Sequence, residues 1–249
     1  MQPTTLFYII IGILIFNYIS EKILDNLNEK HFDDEIPKKL EDVYEEEEYK
    51  KSQQYKKTNA KFSNFTSLIT TLFTLAFFFL DGFKYVDDFA RNYTEHPILV
   101  ALIFFGIIMF GSEIISTPLS YYSTFVIEEK FGFNKSTKTT FWLDKLKGLF
   151  LSAILGGGIL SLIIWFFQLT GQNFWIYAWA LVALFSLFIN MFHAKLIVPL
   201  FNKQSPLENG ELKTAIETYA KKVGFTLNNI FVIDGSKRST KANAYFSGF

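Results

Sequence analysis

Long apolar runs alternate with strongly polar stretches along this chain, and the runs approach the roughly 20 residues that a membrane-spanning helix needs. Five spans are predicted, near residues 4–20, 64–83, 97–119, 148–170 and 174–200. The first, with its core from Leu6 to Ile19, lacks the marks of a secretory leader. Met1 to Thr5 carry no Lys or Arg, and no small-residue cleavage pattern precedes Glu21, so it reads as an uncleaved helix. Glu21 to Ser63 holds nine Lys residues and the acidic run Glu45 to Glu48, which predicts a solvated loop or amphipathic helix with helix-compatible spacing from Pro37 onward. Asp81 to His96 is expected to be a short connecting loop and Tyr121 to Lys147 a longer aqueous one. The fifth run opens on Phe174, Trp175, Tyr177 and Trp179, an interfacial aromatic belt.

The pattern changes after residue 200. Leu212, Ile216, Tyr219 and Val223 recur at helical spacing, Glu217 precedes Lys221 by four, and Gly224 lies just beyond, which predicts a short amphipathic helix over Glu211 to Lys222 with a glycine stop. Phe231 to Ile233 is a short strand-like run, Asp234-Gly235 a turn pair, and Ala244 to Phe246 begins a second run that is expected to continue as a strand to Phe249. Helix, strand, turn and strand make the start of an α+β domain. With no cap or polar tail after Phe249, the sequence reads as the N-terminal part of a longer protein. The fold class predicted is a mainly α, polytopic membrane protein, with a membrane region over 1–200 and the start of an α+β domain over 201–249.

Composition sharpens this picture. Half the residues are apolar, thirty are Phe and twelve Tyr, while Lys plus Arg equals Asp plus Glu at 24 each. The charges are confined to a few stretches, so no basic surface for nucleic acid is indicated and the lipid bilayer is the partner expected. The absence of Cys excludes disulfides and thiolate metal sites within the sequence. The loops after spans one, three and five hold nine, five and eight Lys or Arg, against two and none after spans two and four. The positive-inside rule then places the odd-numbered loops and residues 201–249 in the cytoplasm and Met1 on the exterior or lumenal side.

Candidate chemistry is sparse. Glu113, some sixteen positions into the third span, must face protein or water; it lines an internal cavity or, the reading favoured by neighbouring Ser112, Ser116 and Thr117, it pairs near an interface. Gly156-Gly157-Gly158 lacks the Lys-Ser or Lys-Thr of a phosphate loop and is read as close helix packing or a kink. His31, His96 and His193 show no ligand spacing, and neither His-Glu-x-x-His nor Gly-x-Ser-x-Gly occurs. By residue chemistry alone there is no active site. A transporter or channel with Glu113 and Glu128-Glu129 along a polar pathway, or a non-catalytic scaffold, stays open.

Three long motifs narrow the choice: FVIEEKFGFNKST over Phe125 to Thr137, IVPLFNKQSPLENGELKTAIE over Ile197 to Glu217, and DGSKRSTKANAYFSGF over Asp234 to Phe249. Together with Pro37 and the KSQQY run from Lys51 to Tyr55, the chain resembles integral-membrane zinc metalloproteases of the CAAX prenyl protease 1 type. The resemblance implies a seven-helix membrane barrel around a water-filled chamber, with a gluzincin zinc protease domain on the cytoplasmic side. It implies zinc as cofactor, held by a His-Glu-x-x-His helix and a later Glu that belong downstream of Phe249, so that this segment supplies neither metal ligand nor catalytic base and should be inactive alone. It also implies that Asn243, Ala244, Tyr245 and Phe246 form the edge strand that pairs with the substrate backbone. The expected partners are peptide or protein substrates, prenylated C-termini among them; the expected role is CAAX-type processing or membrane-protein quality control.

Overall fold

The structure, a computed structural model, describes residues 2–32, 34–38 and 42–246. It is dominated by helices: α1 (Pro3–Glu29), α2 (Glu46–Phe79), α3 (Gly82–Tyr93), α4 (Pro97–Tyr122), α5 (Lys138–Thr170), α6 (Phe174–Leu196), α7 (Val198–Phe201) and α8 (Glu211–Lys222), with short strands β1 (Gln204–Pro206) and β2 (Phe231–Ile233). Four continuous helical stretches, Pro3–Glu29, Glu46–Phe79, Pro97–Glu128 and Lys138–Leu196, are long and apolar enough to cross a membrane. The last contains both α5 and α6, joined by a single tight turn over Gly171–Asn173. The fold divides into two compact units, Met1–Phe131 and Gly132–Phe249.

Several helices outrun the apolar runs that predicted them. The charged half of the first polar stretch is the N-terminal half of α2, because Lys, Glu, Gln and Ala are good helix formers and no Gly or Pro interrupts Glu46 to Phe79. In the same unit Lys22 donates to Asn64 Oδ1 and Asn64 Nδ2 to Glu29 Oε1 at 2.7 Å, tying α1 to α2 through polar groups. The span begun at Pro97 likewise continues beyond Leu119, passing Pro118 and a π-helical turn over Ser123–Glu128.

The Asp81 to His96 loop is corrected: most of it is α3. Asp81 reverses the chain in a left-handed conformation (φ 54°), and Gly82 is buried where a Cβ would overlap the Phe77 ring, so only glycine lets α3 leave α2 at that angle. In the glycine triplet a Cβ at Gly156 or Gly158 meets nothing within 4 Å, so neither of these two positions is closely packed among the described residues.

The polar end of the second unit behaves differently. α8 occupies the predicted Glu211 to Lys222 and closes with Gly224 at φ 72°, where Gly224 N–H reaches Lys221 O and Phe225 N–H reaches Ala220 O. Of the expected strand, turn and strand, the first is present as β2 and the second, begun at Ala244, is corrected. β2 pairs antiparallel with β1, in register Gln204↔Ile233, Ser205↔Val232 and Pro206↔Phe231, and residues 241–246 carry no strand pairing. Sequence reading missed β1 because Gln-Ser-Pro has no strand propensity; the pairing is set by its neighbours, with Asp234 N–H donating to Lys203 O and Leu207 N–H to Ile230 O, each at 2.9 Å. The Ser247 to Phe249 end of the expected second strand lies outside the described residues.

Candidate substrate-binding segment and its anchor

Everything that holds the Asn243 to Phe246 segment is built within the second unit. After β2 the chain turns at Asp234 to Ser239: Gly235 N–H donates to Ile233 O at 2.8 Å and Arg238 N–H to Gly235 O at 3.0 Å. The Ser236 hydroxyl donates to Asp234 Oδ1 at 2.6 Å and, as the largest influence, holds that carboxyl below the usual carboxylate range. The chain then runs antiparallel to the connector that precedes α5. Lys135 N–H donates to Arg238 O and Thr240 N–H to Phe133 O, each at 3.0 Å, around an Asn134↔Ser239 bridge. The connector is itself shaped for this pairing: Gly132 takes φ 78°, Asn134 Oδ1 accepts Ser136 N–H at 2.8 Å, and Thr137 caps α5 by accepting Thr140 N–H at 3.1 Å. Lys241 closes the ladder, its ammonium 4.5 Å from the Phe133 ring centroid.

Arg238 is the anchor. Its Nε and Nη2 donate to the two carboxylate oxygens of Asp144 on α5 at 2.5 and 2.8 Å, Nη1 to Asn202 Oδ1 at 2.6 Å, and Nη2 to Phe201 O at 2.9 Å. A planar guanidinium suits this fork, and a lysine would not reproduce it. The side chains of Arg238 and Asp144 are about three-quarters buried, at 26% and 24% exposure. The hydrogen bond to Asp144 raises the guanidinium pKa further above its ordinary value, so the positive charge persists across any working pH. One residue thereby fastens the 234–240 segment to α5 and to the end of α7.

Beyond the ladder, Asn243 to Phe246 are exposed. Ala244 N–H donates to Asn243 Oδ1 at 2.9 Å, the Tyr245 ring lies 6.4 Å from His193 on α6, and the Phe246 ring lies 5.7 Å from Phe225. Among the described residues the main chain of 243–246 forms no ladder with another segment. The three histidines stay apart in role: His31 Nδ1 sits 2.7 Å from Asp34 Oδ2, the His96 amide donates to Thr94 Oγ1, and His193 stands beside Tyr245. Among the described residues no three His, Cys, Asp or Glu side chains gather in a way that could hold a metal ion, so the residues present do not fit a zinc site.

Two acidic residues of the first unit have partners within it. Glu113 is half-buried on α4 and accepts Thr117 Oγ1 at 3.2 Å. The Tyr55 hydroxyl donates to Glu128, and the Tyr55 ring meets Phe131 edge-on at 5.1 Å. The motifs that carry the resemblance are thus those that touch: KSQQY meets FVIEEKF in one unit, and FNKST and LFNK meet GSKRST in the other. Sequence reasoning singled out neither Arg238, Asp144 and Asn202 nor the Tyr55 to Glu128 contact, since 94 positions separate Arg238 from Asp144 and no local spacing signals the pair.

Comparison with known proteins decides the family. The family described as CAAX prenyl protease N-terminal, five membrane helices, matches residues 27–203. The chain belongs to the CAAX prenyl protease family. CAAX prenyl protease 1 of Saccharomyces cerevisiae is 39% identical over 223 residues, covering 86% of this chain and 49% of that protein. The CAAX prenyl protease 1 homolog of Arabidopsis thaliana is 37% identical over 249 residues, covering 96% and 58%. The crystal structure of S. mikatae Ste24p superposes with a TM-score of 0.90 at 36% identity, covering all of this chain and 59% of that one. The chain therefore spans about half the length of the curated relatives it matches. Family and apolar helices together make it a multi-pass membrane protein of a protease family.

Proposed function

We propose that this chain is the membrane region and substrate-strand start of a zinc metalloendopeptidase that cleaves peptides at the cytoplasmic face, prenylated C-termini among its substrates. The observation that carries the reading is the ladder from Lys135 to Arg238 and Phe133 to Thr240, which delivers Asn243 to Phe246 in exposed form without a main-chain partner strand. An extended peptide laid along such a segment is held by main-chain hydrogen bonds, which fix its register while leaving side-chain preference broad. Asn243 Oδ1, now accepting from the Ala244 amide, stands where a peptide carbonyl would take over. Tyr245 and Phe246 supply apolar contact on either side. In this reading the membrane region is 1–200, with its N-terminus on the exterior or lumenal side, and the protease portion begins at 201. Zinc belongs to the part of the relatives that this chain does not span.

Ala244→Pro in the full-length protein tests the assignment, because proline removes the amide and fixes φ near −65°. Cleavage of a prenylated peptide is expected to be lost while zinc content and membrane insertion are kept. Full cleavage would mean that substrate binds elsewhere, and aggregation with loss of zinc would mean that the segment is a buried structural strand.

A further inference from the structure

α3 carries a surface that the proposed function does not use. At about 100° per residue its positions fall into three arcs. Gly82, Phe83, Val86 and Ala90 share one arc, the inner face: Ala90 is fully buried, and Phe83, though 39% exposed, forms a wedge against Phe77, Phe78 and Phe104 at ring separations of 4.8, 4.9 and 6.4 Å. This wedge fixes the rotation of the helix about its own axis. Lys84, Asp87, Asp88 and Arg91 lie across from it, with Arg91 Nε paired to Asp87 Oδ2 at 2.7 Å. Between the two arcs runs a third, made by Tyr85, Phe89 and Tyr93 four residues apart, exposed at 69%, 47% and 70%.

The position of α3 in the chain says what covers that stripe. Only Leu80 and Asp81 separate it from α2, and only Thr94, Glu95 and His96 from α4. A two-residue link reaches about 7 Å and a three-residue link about 10 Å. The apolar run of α2 continues to Leu80 and that of α4 begins at Pro97, so the two links mark the boundary where apolar sequence gives way to polar. A helix tethered at both ends to that boundary, with its charged arc opposite its core, lies at the depth where amphipathic helices settle. We infer that α3 is an interfacial helix whose Tyr85, Phe89 and Tyr93 stripe rests in the headgroup and upper acyl region of the bilayer, continuous with the lipid-facing sides of α2 and α4. Tyrosine suits this layer because its ring is apolar and its hydroxyl meets the headgroups. The polar arc has two cations and two anions, so the stripe and not headgroup charge drives the contact, and zwitterionic phosphatidylcholine suffices as the partner.

Residues 1–249 contain no cysteine, so once any cysteine elsewhere in the protein is replaced by serine, single-site labelling reads the inference directly and does not depend on proteolytic activity. The protein is reconstituted in phosphatidylcholine vesicles with a nitroxide at Tyr85→Cys, Phe89→Cys, Tyr93→Cys, Lys84→Cys or Arg91→Cys, each in turn. Collision with oxygen, relative to a water-soluble nickel complex, is expected to be several-fold higher at 85, 89 and 93 than at 84 and 91, with no change when anionic lipid is added. Equal access of the nickel complex to all five sites would show the stripe in water. Exclusion of both reagents at 85, 89 and 93 would show it covered by protein, and either result overturns the inference.

Discussion

The α5–α6 hairpin and the polar segment after it belong to one compact unit and are held together on opposite terms. Among the described residues, neither α5 nor α6 contributes a buried side chain, and their contacts are loose aromatic approaches such as Phe167 to Phe174 at 5.1 Å and Phe166 to Tyr177 at 5.9 Å. The segment after α6 has little apolar core either, with Val198 and Ala220 its buried apolar residues among those described, yet four charge-assisted hydrogen bonds from Arg238 tie it to α5 and to the end of α7. Solvent explains the difference. Inside a bilayer a helix satisfies its own backbone and lipid covers its side chains, so little specific packing is required. In water a short irregular segment has neither benefit, and directional bonds must fix it.

That contrast predicts unequal sensitivity. Arg238→Ala should be the most damaging change, leaving the Asp144 carboxylate, Asn202 Oδ1 and the Phe201 carbonyl largely shielded and unpaired. The expected cost is about 2–3 kcal/mol, below the figure for a fully buried pair because both partners keep a quarter of their exposure. Thermal unfolding in detergent, followed together with protease sensitivity of the 234–246 segment, measures it; a wild-type transition with intact protection would break the comparison. Gly224→Ala comes next at about 1 kcal/mol, because alanine resists the left-handed conformation that ends α8. It is read from the same melting curve, and an unchanged transition would mean that α8 tolerates another ending. Gly158→Ala in α5 should stay within about 0.5 kcal/mol of wild type, since the added methyl meets open space and the helix gains propensity. A marked loss of stability there would sharpen the contrast, by revealing a close neighbour against the hairpin in the intact protein.

Legibility in the sequence divides along the same line. The apolar spans were legible because lipid-facing helices advertise themselves in composition, and α8 was legible because Leu212, Ile216, Tyr219 and Val223 keep helical spacing up to Gly224. α3 escaped because Lys84, Asp87, Asp88 and Arg91 dilute its apolar positions to loop-like polarity over twelve residues. The anchor escaped for another reason: Asp144 lies in a helix, Asn202 after one and Arg238 in a turn, and only folding assembles them. For Asn243 to Phe246 the pattern offered only a second short run from Ala244, and the substrate-pairing role came from resemblance to a motif. Its short run matches a paired strand equally well, and pairing depends on what lies beside it.

The π-helical turn over Ser123–Glu128 has a bearing on how this protein tolerates insertion and deletion. Closing a turn one residue wider than an α-helix acts as a spacer, setting the residues after the turn out of phase with those before it. Rewinding the same residues as an ordinary α-helix would carry Glu128 about 100° further around the axis, off the side where Tyr55 reaches it, whereas removing one residue between 123 and 127 together with the wider turn would leave its direction nearly unchanged. A single deletion here is therefore expected to be tolerated better than one in the regular part of α4, where every following residue would turn by about 100°.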